Sequence, residues 1–532
     1  RETSGIFHAD GALFRGAHYI ITPGPRSCPS HVALLERIAR HIGCRDVVNT
    51  TTQKHDAIIA YTSQMMHVIA VSVCDDPSLF DYQGFEGDSF RGCTRVAALD
   101  VPLWTQLFTM NSKALGSALE ELEGQADIWI MDLRSNPGGT DAAVNLTAGK
   151  FTNGIMVYML SADGLAYYRG IRPDAPDYTD VPVVVLTSPW SASGAEMFAA
   201  AARDHSFGIS VGQRTYGKGV AQLVLDEKNA PALFDGDCLK VTAYRFYSPN
   251  GVTNDTMGVL PTLLISAARL LRADVPGIAD GSLKLELAGH TFYLDDRQAR
   301  HVDNRAAFTE LLEALPPSAH LSVGYSGSTW TEVAPKELAQ QWGLEFHSRT
   351  FSDTASSPFS QAIDTLAVYG LLSGYEDGTF HPGETITRAE FSAMVASALN
   401  LRRSDSAPFS DVDPSAWYAG AVNAMAAKGF LSGDGDGRFR PEDTISYEEM
   451  VTVLSSVAAW ATMEGRELAE ESLSAGDWGV YHDFSEWAQI PARNLDRLGA
   501  LAGSQQPREP GTRETAAGLL HALLESAGLL WD

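Results

Sequence analysis

A β-branched run, Val181 to Leu186, reaches a proline turn at Thr187-Ser-Pro-Trp190 and then an alanine-rich helix, with Ser191-Ala-Ser-Gly-Ala-Glu196 at the join. This order leaves the chain little freedom. A short unbroken apolar run bounded by turn residues reads as a buried strand. Ala199 to Ala202 leave the following helix, Ala195–Asp204, almost free of side chains on the face it packs. Ser193 therefore sits in a tight turn at a helix start. A second strand, Gly208–Gly212, leads to Thr215-Tyr-Gly-Lys-Gly219, which returns Lys218 on a glycine-flanked turn. Upstream, Ala126–Arg134 reads as a buried strand running into Ser135-Asn-Pro-Gly-Gly139, a turn that frees backbone N–H groups.

These placements suit nucleophilic chemistry. A serine hydroxyl is a poor nucleophile unless a base takes its proton. A lysine serves as that base only when neutral, and burial favours the neutral form. Gly138, Gly139 and the N–H of Gly194 are placed to form an oxyanion hole. Each piece alone has a plain reading as a turn; their order and spacing favour chemistry. The stretch resembles the carboxy-terminal processing peptidases, or tail-specific proteases. The matching residues are Asp132-Leu-Arg-Ser-Asn-Pro-Gly-Gly139, Ser191 to Glu196, Asp204, Val211-Gly212, Thr215 to Gly219 with Gln222, and Tyr247-Ser-Pro-Asn-Gly251. The resemblance implies an endopeptidase that uses a Ser–Lys dyad and cuts near unfolded C-termini. Ser193 would be the nucleophile and Lys218 the general base, with Gln222, one helical turn on, orienting the lysine. Glu196 and Asp204 would be supporting positions, though both also read as helix-surface acids. Two departures stand out: Pro261-Thr262 replaces the family's Pro-Asp, and the space before Asp132 lacks the family's peptide-binding PDZ domain and part of its core.

The first 124 residues read differently. A short strand lies within Phe14–Pro23, followed by helical patterns at Val32–Ile42, His55–Ala70 and Val101–Glu123. The segment resembles prephenate dehydrogenase, the tyrosine-pathway enzyme. The resemblance rests on Arg1-Glu-Thr-Ser-Gly5, Leu13-Phe-Arg-Gly16, Ile20-Ile-Thr-Pro23, His55-Asp56, Ser63 to His67, Phe90-Arg91, Thr94-Arg-Val-Ala97 and Leu103-Trp104. It implies the end of a nucleotide domain plus a helical dimerisation domain, with His67 and Arg95 as vestigial prephenate-binding residues. No Gly-x-Gly-x-x-Gly turn occurs in the chain, so the expected cofactor is none and the NAD site of that family is absent. Hydride transfer is not expected. The segment's remaining roles are a dimerising helical module or a misjoined relic, with the join between about 110 and 126.

The tail repeats. Phe351-Ser-Asp353 recurs as Phe409-Ser-Asp411, Gly374–Phe380 as Gly433–Phe439, and Ile386-Thr-Arg-Ala-Glu390 as Ile445-Ser-Tyr-Glu-Glu449. A degenerate third copy has His482-Asp483, Trp487-Ala488 and Thr512-Arg-Glu-Thr515. Thr387 with Glu390 is a capping-box pattern, and units that cannot bury an apolar face alone pack together. The repeats resemble S-layer homology domains, which bind secondary cell-wall polysaccharide. The resemblance implies a pyruvylated glycan held by Arg388 and Arg513, with a weak middle site because Tyr447 stands there. The plain alternative is a structural helix cap. Asp434-Gly-Asp-Gly437 lacks the later glutamate of a calcium loop and reads as a turn; no metal is expected.

At 532 residues the chain exceeds one ordinary domain. The expected fold is multidomain α+β. It comprises a helical dehydrogenase-type domain (1–124), a mixed α/β protease core (125–265), a small α+β spacer (266–350) and all-α repeats (351–408, 409–470, 471–532). A net charge of -27 argues against nucleic acid and anionic membranes as partners. No apolar run is long enough to span a bilayer. Residues 1–25 lack a signal-peptide pattern, and the start at Arg1 reads as that of a fragment. Cys28, Cys44, Cys74 and Cys93 lie at the front, Cys238 stands alone and the tail has none, so the front suits a reducing cytoplasm and the tail suits export. The leading expectation is a cell-surface serine endopeptidase anchored to the wall, acting on unfolded or C-terminal polypeptide. The alternatives are a catalytically incomplete wall-binding protein, and a natural or artificial join of a dehydrogenase fragment to an exported protease.

Overall fold

A computed structural model describes residues 18–24, 27–59, 128–171, 182–226, 232, 238–266, 283–294, 304–324, 329–474, 476–503 and 505–531. The chain divides into two compact units, Arg1–Ala126 and Asp127–Asp532. In the first, β1 (His18–Ile21) and β2 (Asp46–Asn49) pair in parallel, with His18 opposite Asp46. Parallel strands need a crossover, which helix Pro29–His41 supplies; its proline start and its last-turn Arg40 and His41 suit the helix ends. The helix expected from His55 is described as Thr52–Ile59. His67, Arg95 and the Val101–Glu123 pattern lie outside the described residues.

The second unit opens with β3 (Trp129–Asp132), β4 (Gly154–Ser161) and β5 (Gly164–Ile171). It continues through β6 (Val183–Thr187), β7 (Gly208–Gly212), β8 (Val220–Leu225), β9 (Leu239–Tyr247) and β10 (Leu263–Leu264). They form a parallel sheet in the order β10-β7-β6-β3 and an antiparallel sheet in the order β5-β4-β9-β8. The β-branched run of β6 is buried on both faces, and its period of two sorts the side chains. Val183 and Val185 pack with helix Gly194–Asp204, together with Met156, Met159 and Phe246 of the antiparallel sheet. The alanines let this helix lie close between the two sheets: Ala199, Ala200, Ala201 and Ala202 are wholly buried.

Val184 points the other way and packs with Ile209 and Leu263 against Leu283, Leu285 and Phe308. Those last three belong to the segment read as a spacer. Its strands, β11 (Leu283–Leu287), β12 (His290–Leu294), β13 (His320–Val323) and β14 (Thr331–Glu332), form their own sheet. The segment thus covers the second face of the parallel sheet rather than linking two domains.

Among the described residues between 351 and 531 the regular elements are helices, with Arg388–Ala398, Tyr447–Ala461 and Arg513–Ser526 starting at corresponding places. Isolated bridges Thr385–Thr512, Thr387–Thr444 and Ser446–Pro510 join those starts. The all-α expectation omits these bridges, which form because the N-caps Thr387, Ser446 and Thr512 are extended. Asp353 accepts the N–H groups of Phe380 and His381 at 2.8 Å, and Asp411 accepts those of Phe439 and Arg440 at 2.8 Å. Thr387–Glu390 and Ser446–Glu449 are capping boxes. The tail packs directly on the region before it: Val252, Met257 and Leu260 share a core with Leu371, Met425 and Val457. The Thr253 N–H donates to Ala461 at 2.8 Å, and Trp531 Nε1 donates to the Leu260 carbonyl at 2.6 Å. No described helix is long and apolar enough to cross a membrane.

Candidate active site

Because β3, β6 and β7 are parallel neighbours, their C-terminal ends lie on one edge of the sheet. The three motifs all follow those ends: Leu133–Gly139 after β3, Ser188–Ser193 after β6 and Gln213–Gly219 after β7. Crevices at strand carboxyl ends are where open parallel sheets bind ligands. The topology therefore gathers residues separated along the chain.

Ser193 has φ 57°, an unusual conformation for a non-glycine residue. The surroundings hold it there. The buried Ser191 hydroxyl donates to the Leu133 carbonyl at 2.6 Å, the Ala192 N–H to Asn136 at 2.9 Å, and the Tyr216 N–H to Ser191 at 3.0 Å. Gly138, at φ 107°, packs so closely that a Cβ there would lie 2.6 Å from Ser193 Cβ. A Cβ on Gly194 would lie 2.9 Å from the Gly139 nitrogen.

Glu196 ties the serine turn to the lysine turn. Its side chain is fully buried. Oε2 accepts the Ser193 N–H at 2.8 Å and the Lys218 N–H at 2.9 Å, while Oε1 accepts the Gly217 N–H and the Thr215 hydroxyl, both at 2.6 Å. Burial pushes this carboxyl above the ordinary range, and the four hydrogen bonds partly oppose the rise. The lysine turn is also fixed from behind: a Cβ on Gly217 would meet the Thr256 carbonyl at 2.4 Å, and one on Gly219 the Asp255 nitrogen at 2.3 Å. Lys218 itself is half-buried. Among the described residues no hydrogen bond joins Ser193 Oγ to Lys218 Nζ; one carboxylate oxygen joins their backbones.

Several expected roles change. The Gly138 N–H donates to Asn136 Oδ1 at 2.8 Å, so it is not directed at an oxyanion and the residue's part is steric. Among the described residues the Gly139 and Gly194 N–H groups have no acceptor. Gln222 is not one helical turn beyond Lys218. It lies exposed on β8 opposite Thr242, because the chain leaves Gly219 as a strand and carries it away. Neither Glu196 nor Asp204 is a helix-surface acid. The Asp204 side chain has no exposed surface, pairs with Arg203 at 2.7 Å, and accepts the Ser248 hydroxyl at 2.5 Å and the Asn250 N–H at 2.9 Å. It thereby anchors the Tyr247–Gly251 turn. Thr262, the departure from Pro-Asp, exchanges hydrogen bonds with buried Ser210 at 2.9 and 3.2 Å. Ser191, Thr215 and Ser248 stand in the matching motifs but were given no role of their own; their only signal is a hydroxyl in a turn beside a strand.

In the tail, Arg388 pairs with Glu449, donates to the Phe439 carbonyl at 2.8 Å and lies over the Phe439 ring. Arg513 donates to the Phe380 carbonyl at 2.8 Å and lies over Phe380 and Tyr375. The Tyr447 hydroxyl at the equivalent place donates to Ala502 at 2.9 Å. Each of these residues therefore also connects one repeat to the next. Among the described residues Cys28, Cys44 and Cys238 are free thiols.

Comparison with known proteins adds three family matches. Residues 95–265 match Peptidase family S41, residues 350–392 and 408–451 match the S-layer homology domain, and residues 51–137 match the prephenate dehydrogenase dimerization domain. Two of these matches overlap from 95 to 137. The chain is 29% identical over 204 residues to the chloroplastic C-terminal processing peptidase of Tetradesmus obliquus, covering 36% of this chain and 42% of that protein. It is 30% identical over 112 residues to the surface layer protein of Brevibacillus choshinensis, covering 19% and 10%. A solved photosystem II D1 C-terminal processing protease is 30% identical over 29% of this chain and 38% of its own, with a TM-score of 0.26, too low for likeness of shape to carry weight. The chain spans less than half the length of the curated relatives it matches. The chain thus joins three family regions in one polypeptide: a prephenate dehydrogenase dimerization-type stretch, a peptidase family S41 stretch and S-layer homology repeats.

Proposed function

We propose that the chain is a cell-surface serine endopeptidase with a Ser193–Lys218 dyad, held to cell-wall polysaccharide by three S-layer homology units at 351–408, 409–470 and 471–532. The observation that carries this reading is the Glu196 carboxylate, which accepts the N–H groups of Ser193 and Lys218 on one oxygen. In the proposed reaction neutral Lys218 takes the Ser193 proton as Oγ bonds to the scissile carbonyl carbon. The Gly139 and Gly194 N–H groups donate to the oxyanion. Lys218 then gives its proton to the departing amine as the C–N bond breaks, leaving an acyl-serine. Water, deprotonated by the same lysine, releases the carboxylate product and restores the serine. Arg388 and Arg513 are proposed to bind a carboxylate-bearing glycan through paired hydrogen bonds.

One observation favours the second reading, a wall-binding protein with an incomplete catalytic core: the Ser193 and Lys218 side chains are not hydrogen-bonded to each other. A joint assay separates the two. The full chain is expected to co-sediment with polysaccharide-bearing cell walls and to hydrolyse an unfolded protein, with Ser193→Ala losing only the hydrolysis. Equal hydrolysis by both chains would end the peptidase reading; failure to sediment would end the anchoring one.

A further inference from the structure

Beside the lysine turn lies a cavity of about 440 Å³ with walls from two family regions. Tyr216, Lys218, Asp255 and Thr256 come from the peptidase stretch, and Arg402 and Lys428 from the repeats. The charge balance is unexpected for this tail, whose 351–532 segment holds 11 Lys+Arg against 27 Asp+Glu. Three cations and one acid line the cavity, and that acid, Asp255, already lies 3.7 Å from Arg245.

Neither tail cation has an ion-pair partner among the described residues. Lys428 Nζ is 3.2 Å from Thr256 Oγ1 and 4.7 Å from the Trp460 ring centre, so it gives up water for a hydroxyl and a ring face. The Arg402 guanidinium lies over Tyr216, 5.2 Å from the ring centre, and makes no hydrogen bond among the described residues. A guanidinium held over a ring has N–H groups left for a bidentate acceptor. Burial lowers the Lys428 pKa, while Asp255 acts in the opposite direction.

We infer that Arg402 and Lys428 form a carboxylate-binding subsite, supplied by the repeats, that seats an acidic group of the peptide substrate beside Lys218. The inference rests on the peptidase reading for the word substrate, but not for the binding itself. It makes the tail part of the substrate pocket as well as a wall anchor. The carboxylate can come from a peptide C-terminus or from an acidic side chain, which are one chemistry from two sources.

The test is binding of three fluorescent unfolded peptides to the full chain carrying Ser193→Ala. One peptide has a free C-terminus, one is amidated with its acidic side chains kept, and one has a free C-terminus with those side chains made amides. The subsite predicts about tenfold weaker binding when the seated carboxylate is removed. That discrimination should vanish in Arg402→Gln with Lys428→Met. Whichever modification weakens binding identifies the source. Arg402 is exposed, so Arg402→Gln alone remains informative if the double variant unfolds. Equal binding of all three peptides, or discrimination unchanged by the variants, overturns the subsite. Discrimination without hydrolysis by the unmutated chain would sustain the subsite and refute the peptidase reading; hydrolysis without discrimination would do the reverse.

Discussion

Glu196→Gln tests the joint between the two catalytic turns. The carboxylate accepts four hydrogen bonds, two on each oxygen, and three of the donors are backbone N–H groups. A glutamine presents one oxygen and one NH₂, and the NH₂ cannot accept. Its least costly orientation places the NH₂ toward Thr215, whose hydroxyl can turn to accept it. The Gly217 N–H then loses its acceptor. A buried donor left unsatisfied costs about 1–3 kcal/mol. Two further bonds fall from charge-assisted to neutral strength, while removing a buried charge returns part of the loss. The balance is about 2 kcal/mol, located next to Lys218. Urea denaturation should show that loss, and kcat/KM on an unfolded substrate should fall by at least about tenfold. Full stability together with full activity in Glu196→Gln would refute the role given to this carboxylate.

Other perturbations follow from the same contacts. Because burial raises the Glu196 carboxyl pKa, the folded chain keeps this proton at pH values where the unfolded chain has released it. This contribution to stability is full below the ordinary carboxylate pKa and is lost as pH rises through the raised value; it should be missing from the pH dependence of unfolding in Glu196→Gln. Asp204→Ala leaves buried Arg203 without its acid and frees the Ser248–Asn250 turn, for a loss of about 3–5 kcal/mol in denaturant titration. Gly138→Ala forces φ 107° on an alanine and drives its Cβ onto Ser193, so about 2 kcal/mol of stability and most activity should go. Arg388→Gln should weaken wall-polysaccharide co-sedimentation about tenfold, and Tyr447→Phe should leave it unchanged.

Much of the sheet edge was legible because its signals are local. The apolar run at β6, the alanines after it and the glycines around Lys218 each answer to one steric demand, and the strands expected before Ser193 and before Lys218 stand at 183–187 and 208–212. Long-range partners were not legible. Glu196 and Asp204 were read as supporting positions with a surface-acid alternative left open, because nothing nearby in sequence indicates that Thr215 and Gly217, or Ser248 and Asn250, will meet them. Gln222 was misplaced because i to i+4 spacing implies proximity only on a helix, and the chain beyond Gly219 is extended. The spacer gave no sign of its role either: nothing within it indicates that Val184 and Ile209 complete its core. Lys428 and Arg402 carry no signal of their own in the sequence, because only the fold sets the tail against the lysine turn.

The central claim is that Ser193 and Lys218 act as a nucleophile and its base. Its most direct test is turnover of an unfolded protein by the full chain, Ser193→Ala and Lys218→Met, with the product peptides identified by mass spectrometry. The account predicts discrete cleavage by the unmutated chain and a loss of more than about a hundredfold in each variant. The same products at the same rate from all three chains would contradict it.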